Sequence, residues 1–286
     1  MYIKSISDIH LEHGRPFNIP PAPQDSQTIL IMPGDLTKGS VFVDYIETVI
    51  KETENRYHSY IFIPGNHEFY GNDFNEMVNH FNEAKETIRQ KYSNVYMSTS
   101  FDQVEIQGTV YMFGTMWTDG GKTLKDRILL GPFMNDFRVI KDKFHVSKNF
   151  TTERMYREFL KFIDNLGCAL TEVPEYKKVV LITHHMPDYQ CIDPMFKDSN
   201  INGGFAVDLN DYIPSSLLSK ISVMVFGHTH CPVVKRITLA KSQHEVQVIC
   251  NPRGYPMVHR STGEKYFESR GFDPELLFDL DAMAFE

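Results

Sequence analysis

The chain has 286 residues, 42% of them hydrophobic, and a formal net charge of −8. That length and composition support a sizeable core, and the acidic balance argues against broad, charge-driven binding of nucleic acid. No apolar run of about 18 residues is present to cross a bilayer, and the opening MYIKSIS lacks the charged and apolar regions of a secretory leader.

Short apolar runs alternate with polar helical stretches. Residues 2–7 (YIKSIS), 28–33 (TILIMP), 60–64 (YIFIP), 94–100 and 109–115 read as strands, several buried on both faces. So do 177–185 (KKVVLITHH), 223–228 (VMVFGH) and 246–252 (VQVICNP). Amphipathic periodicity predicts helices over 42–58, 74–92 and 151–167, the last with Thr151 or Thr152 near its N-cap and Gly167 as its stop. Residues 114–140 and 186–214 are long and loop-like, and long ordered loops tend to carry function. The C-terminal GFDPELLFDLDA reads as one final strand without chemistry. Cys168, Cys191, Cys231 and Cys250 have no close pairing and read as reduced thiols of a cytoplasmic protein. The order of elements suggests an α/β sandwich with mixed sheets, in a single domain over 1–286.

The polar residues fall where the strands stop. Asp8 and His10 follow the first run, and Gly34-Asp35 the second. Gly65-Asn66-His67-Glu68, His184-His185 and Gly227-His228-Thr229-His230 follow three more. All are metal-ligand types, several preceded by a glycine where backbone must bend or approach closely. Side chains two apart on an extended segment point the same way, so Asp8 and His10 can grip one ion, and His228 and His230 can contact a shared centre. In α/β folds the strand ends line the crevice where ligands bind. A mixed oxygen and nitrogen donor set without thiolate suits Mn2+, Fe, Zn2+, Ni2+ or Co2+.

This series of blocks resembles the calcineurin-like metallophosphoesterase superfamily: D-x-H at Asp8-Ile9-His10, G-D at Gly34-Asp35, G-N-H-[DE] at 65–68, H at His184, and G-H-x-H at 227–230. GTMWTD, MNDFR and CNPRGYP look like a bacterial and phage subgroup of it. The resemblance implies a four-layer αββα sandwich of two mixed β-sheets flanked by helices. It also implies two divalent ions per chain, with Mn2+ the leading expectation. The first would take Asp8, His10, Asp35 and His230; the second would take Asp35, Asn66, His184 and His228. Such a pair would lower the pKa of a bridging water for in-line attack on a phosphoester. Two divalent ions outweigh the two aspartates, so the cleft of an acidic protein can still be cationic.

Asp35 and His67 are the expected catalytic residues, His67 serving the leaving oxygen. Glu68 is its natural partner, or else a cap for the following turn. Only one of His184 and His185 is needed as a ligand; the resemblance favours His184 and leaves His185 to orient a ligand or the substrate. The expected substrate contacts are Asn66, His67, His185, Arg138 and Arg253, the arginines for their match to phosphate. Asn135 and Asp136 are expected to shape the wall of the cleft or to stand behind the ligands and orient them. Trp117 and Tyr255 are expected to pack in the core ahead of stacking on a base, and Cys231 to point away from the metals. Residues 186–215, with Tyr189, Asn202 and Phe205, are expected to select the substrate.

The second block reads Gly34-Asp35-Leu36-Thr37-Lys38-Gly39-Ser40 and lacks the Asp-Arg pair typical of protein phosphatases in the superfamily. A small, nucleotide-like phosphodiester or phosphomonoester is therefore the expected substrate, ahead of short oligonucleotides or phosphoproteins. A metal-free binding module is disfavoured because every ligand position is filled. The oligomeric state is not legible.

Overall fold

The structure is a computed structural model, and residues 1–285 are described. The first sheet opens with four parallel strands: β1 (Tyr2–Ser5), β2 (Thr28–Pro33), β3 (Ser59–Ile63) and β4 (Val95–Met97). The second contains β5 (Asp102–Ile106), β6 (Thr109–Phe113), β7 (Val179–Ile182), β8 (Ile221–Val225), β9 (Val233–Leu239) and β10 (His244–Cys250), in the order β5-β6-β7-β8-β10-β9. Its inner strands β6, β7, β8 and β10 run parallel, and its edge pairs β5-β6 and β9-β10 are antiparallel. A separate hairpin, β11 (Pro256–Val258) with β12 (Lys265–Phe267), follows. The chain ends with β13 (Phe278–Asp279) and β14 (Ala284–Phe285), antiparallel on the free side of β1, which makes the first sheet six-stranded and mixed.

Alternation along the strands builds the layers. Ile29 and Ile31, Ile61 and Ile63, Tyr111 and Phe113, Val180 and Ile182, and Val223 and Val225 form one buried cluster drawn from both sheets. The intervening Leu30, Met32, Tyr60, Phe62, Met112, Leu181 and Met224 pack instead with helix residues such as Phe42, Ile46, Phe81 and Phe159. Each of these inner strands is thus apolar on both faces, which is why their runs read as continuous rather than alternating. The result is the four-layer αββα sandwich.

The helices are α1 (Val41–Glu52), α2 (Phe74–Lys91), α3 (Leu124–Leu130), α4 (Asp136–Val139), α5 (Thr152–Glu172) and α6 (Ser215–Leu218). The Asp73 carboxylate caps α2 by accepting from Asn75 N and Glu76 N, and the Thr151 hydroxyl caps α5 by accepting from Arg154 N. The α5 helix runs five residues beyond the expected stop at Gly167, because Ala169 and Leu170 continue the buried stripe of Phe159, Phe162, Ile163 and Leu166. Packing of that stripe outweighs the weak helix propensity of one glycine. Of the expected C-terminal strand over 271–282 only Phe278–Asp279 is a strand, and a second short one, β14, follows that stretch. Asp279 accepts from Asp281 N (2.8 Å) and Ala282 N (3.1 Å), which turns the chain back on itself. Among the described residues no helix is long and apolar enough to cross a membrane.

Candidate metal centre

The parallel strands of both sheets end at one crest, and backbone bonds stitch it together. Asp8 N donates to Gly34 O (3.1 Å), His10 N to Asp35 O (3.0 Å), and Gly227 N to His184 O (3.0 Å). Four residues there leave the ordinary backbone regions: Asp8 (φ 52°), His10 (φ 51°), Asp35 (φ 53°) and His228 (φ 65°). Left-handed backbone at non-glycine residues is costly and concentrates at functional sites. It also corrects the expected geometry: Asp8 and His10 reach one centre through a kinked chain, not along an extended strand. At Gly65 a Cβ would lie 2.5 Å from His184 Cε1 and 2.6 Å from its Nε2, so only glycine lets this turn approach the imidazole.

Two groups of donors face each other. Asp8, His10 and His230 form one, and Asp35, His184 and His228 the other, with the ligand atoms of each group within 4.8 Å of one another. His184 Nε2 lies 3.0 Å from Asn66 Oδ1 and 3.4 Å from Asp35 Oδ1, and His228 Nδ1 lies 3.1 Å from Asn66 Oδ1. Asp35 Oδ2 points the other way, 4.0 Å from His10 Nε2.

The outer nitrogens set the tautomers. His184 Nδ1 donates to Pro33 O at 2.8 Å, His10 Nδ1 to Glu12 Oε1 at 3.2 Å, and His230 Nδ1 to Glu268. Their inner Nε2 atoms therefore present lone pairs. His10 Nε2 and His230 Nε2 stand 3.0 Å apart, a separation that requires a shared proton or a metal ion between the two nitrogens. Asp8 Oδ2 and His228 Nε2 are buried without any hydrogen-bond partner. These are features of a cation site, and the residues present fit divalent metal. The charge agrees: burial opposes protonation of His184, yet the Asp35 carboxylate outweighs it and raises this imidazole to about 9. The field that favours a proton there favours a metal ion.

Each remaining site residue has a definite place. Asn66 donates through Nδ2 to Tyr70 Oη (3.1 Å), and Tyr70 donates in turn to the buried Asp136 (3.4 Å), so Asp136 helps aim the Asn66 carbonyl. His67 N donates to Asp35 Oδ1 (2.9 Å) and its ring stacks on Tyr70 at 4.2 Å. Glu68 does not touch the ring of His67. Fully buried, it accepts from the backbone N–H groups of Gly65 (2.6 Å), Leu36 (2.8 Å), Asp35 (3.1 Å) and Thr37 (3.2 Å), bracing the ends of β2 and β3. The partner of His67 is Glu12, whose Oε1 accepts from Nδ1 at 3.0 Å. Glu12 escaped the sequence reading; its position two residues after His10 was the available signal.

His185 is buried between Trp117 (5.3 Å between ring centroids) and His228 (4.2 Å), and belongs to neither donor group. Burial, then the neighbouring His184, holds it at about 3, so it stays neutral. It packs against His228 and is fully buried. Arg253 is only 2% exposed and donates to the carbonyls of Ile9, Arg15 (3.0 Å) and Pro16 (3.1 Å). Its guanidinium holds the loop after the D-x-H block and does not reach for phosphate. Arg138 is exposed on α4 and donates to Asn135. Trp117 packs as expected, against Phe69, Phe74 and Phe150. Tyr255 does more than pack: its hydroxyl lies 3.0 Å from His67 Nε2. In the 186–214 segment, Asp188, Asp193 and Asp208 each cap a short turn, and the Asn202 amide binds the carbonyls of Phe196 and Lys197. Phe205, 4.8 Å from the His228 ring, is its contact with the centre.

Buried carboxylates and imidazoles thus gather at the crest of a two-sheet sandwich in groups able to hold a metal ion. The chain belongs to the calcineurin-like phosphoesterase family, whose model matches residues 1–232, and it is accordingly a metal-dependent phosphoesterase. Its fold is similar to the crystal structure of a phosphopantetheinyl hydrolase from Mycobacterium tuberculosis, with a TM-score of 0.62 and 15% identity, over 88% of this chain and 89% of that one. A dimetal phosphatase from Danio rerio aligns with a TM-score of 0.41 and 15% identity, over 77% of this chain and 71% of that one. No curated protein matches the sequence.

Proposed function

We propose that this phosphoesterase holds two divalent ions, Mn2+ foremost, and hydrolyses a small, nucleotide-like phosphodiester or phosphomonoester. One observation carries the reading: Asp35 turns Oδ1 toward His184 and Oδ2 toward His10, so a single carboxylate serves both donor groups. Asp8, His10, Asp35 and His230 make one site; Asp35, Asn66, His184 and His228 make the other. When bound, such ions neutralise phosphoryl oxygens and acidify a water near neutral pH.

The chain supplies the rest. Glu68 holds the backbone of Asp35, and the His67 N–H holds its carboxylate in the shared orientation. Tyr70 and Asp136 hold the Asn66 carbonyl inward. His67 Nε2 stands 3.9 Å from Asp35 Oδ2, and this imidazole is the source of the proton for the leaving oxygen. Of the two arginines, Arg138 remains as a contact for the substrate.

The test is hydrolysis by chelator-stripped protein with and without Mn2+. The panel is p-nitrophenyl phosphate, bis-p-nitrophenyl phosphate, nucleotides, cyclic nucleotides and short oligonucleotides. Phosphopantetheinyl esters join it because the hydrolase of similar fold is named for them. Metal-dependent turnover of at least one small ester is expected. Absence of metal-dependent turnover on every ester would reject the reading.

A further inference from the structure

The segment CNPRGYP lies beyond the 1–232 stretch that the family model matches, yet it delivers a side chain to the centre. Arg253 N donates to Ser7 O and Gly254 N to Asp8 O, each at 3.0 Å, which fastens the segment to the end of β1. Gly254 turns the chain with a φ of 73°, a conformation that favours glycine. The turn lays the Tyr255 ring against two metal-donor imidazoles, 4.3 Å from His10 and 4.6 Å from His230. It also sets the hydroxyl 3.0 Å from His67 Nε2. On the far side of the same imidazole, Nδ1 is committed to Glu12 at 3.0 Å. Glu12, His67 and Tyr255 thus form one line of hydrogen bonds, and the outward nitrogen of His67 is already taken by the phenol.

We propose that Tyr255 is the catalytic residue that touches the leaving oxygen, with His67 behind it as proton source and Glu12 fixing His67. This rests on the phosphoesterase reading above. The bond between phosphorus and the leaving oxygen breaks, and that oxygen keeps the electron pair and takes the Tyr255 proton. The phenol oxygen takes the Nε2 proton of the His67 imidazolium. His67 is left neutral, keeping its Nδ1 proton, which it donates to Glu12. The attacking water gives its hydroxyl to phosphorus, and its other proton restores the charge on His67.

Tyr255→Phe keeps the ring against His10 and His230 and removes only the hydroxyl. It is to be assayed on esters graded from p-nitrophenol to a simple alkyl alcohol, with metal content and circular dichroism measured alongside. The expected result is a loss of roughly 10²–10³-fold on the alkyl ester and a loss at least tenfold smaller on the activated ester, which needs little protonation. The double variant with His67→Ala should lose little more than His67→Ala alone, because the two act in series. A uniform loss along the series, no loss, or fully additive losses would overturn the proposal. If the phenylalanine variant does not fold, 3-fluorotyrosine at position 255 reads the same step: the alkyl-ester rate changes and the activated-ester rate does not, and no change in either overturns it. Wild-type protein without metal-dependent hydrolysis would overturn the phosphoesterase reading itself, before any variant is compared.

Discussion

Glu12 Oε1 stands 3.0 Å from His67 Nδ1 across 55 residues of sequence, and the same oxygen lies 3.2 Å from His10 Nδ1. One carboxylate therefore orients both His10, a proposed metal donor, and His67, the imidazole proposed to supply the proton. Glu12→Ala removes the acceptor for both rings. The expected loss in kcat/KM or in metal affinity is about 10–100-fold, the range for losing an outer partner of a metal-bound histidine. Glu12→Gln, which keeps one acceptor oxygen, should fall between alanine and wild type. Equal activity for all three proteins would remove Glu12 from the account.

Glu68 was a natural partner for His67 in sequence because it is the next residue. The structure gives it four backbone N–H groups to satisfy instead. Glu68→Gln replaces one acceptor oxygen with a donor that faces N–H groups, leaving buried backbone donors unpaired. Unfolding should become easier by roughly 2–4 kcal/mol, read as a lower denaturant midpoint at unchanged m-value. A variant as stable as wild type would show that these bonds contribute little.

The site was legible where chemistry is carried by residue type next to an apolar run. Asp8, His10, Asp35, Asn66, His184, His228 and His230 end strands whose burial makes them easy to recognise, and the structure draws them to one crest. Partners that arrive from far along the chain were not legible. Glu12 meets His67, Glu268 meets His230 and Tyr255 meets His67 only because the two sheets and the β11–β12 hairpin fold together. Arg253 misled for the opposite reason: a guanidinium in a loop has the chemistry of a phosphate contact, and only burial shows that carbonyls occupy it. Strands β9 and β5 escaped because exposed, charged residues interrupt their apolar pattern.

His184 and His185 are adjacent in sequence but separated in role. His184 presents Nε2 to Asn66 and Asp35, whereas His185 lies behind His228. His184→Ala should lose one of two bound ions by elemental analysis. His185→Phe should keep both, with a stability cost below roughly 3 kcal/mol from repacking the site. The reverse pattern would exchange their assignments.

Arg253 should behave as a structural residue. Arg253→Met leaves the carbonyls of Ile9, Arg15 and Pro16 without their donor, and stability should fall by about 2–4 kcal/mol. The KM for an activated phosphoester should change less than about threefold, because the guanidinium does not face the donor groups. A large rise in KM at wild-type stability would restore Arg253 as a phosphate contact.

The central claim is that Asp35 joins two metal sites, and the electron paramagnetic resonance of bound Mn2+ tests it most directly. Metal-free protein titrated with Mn2+ should develop the signal of two coupled ions, saturating near two equivalents, with hydrolysis rising as the second equivalent binds. Asp35→Asn should lose the coupled signal and most of the bound metal. A single-ion signal that saturates at one equivalent, and survives Asp35→Asn unchanged, would contradict the account.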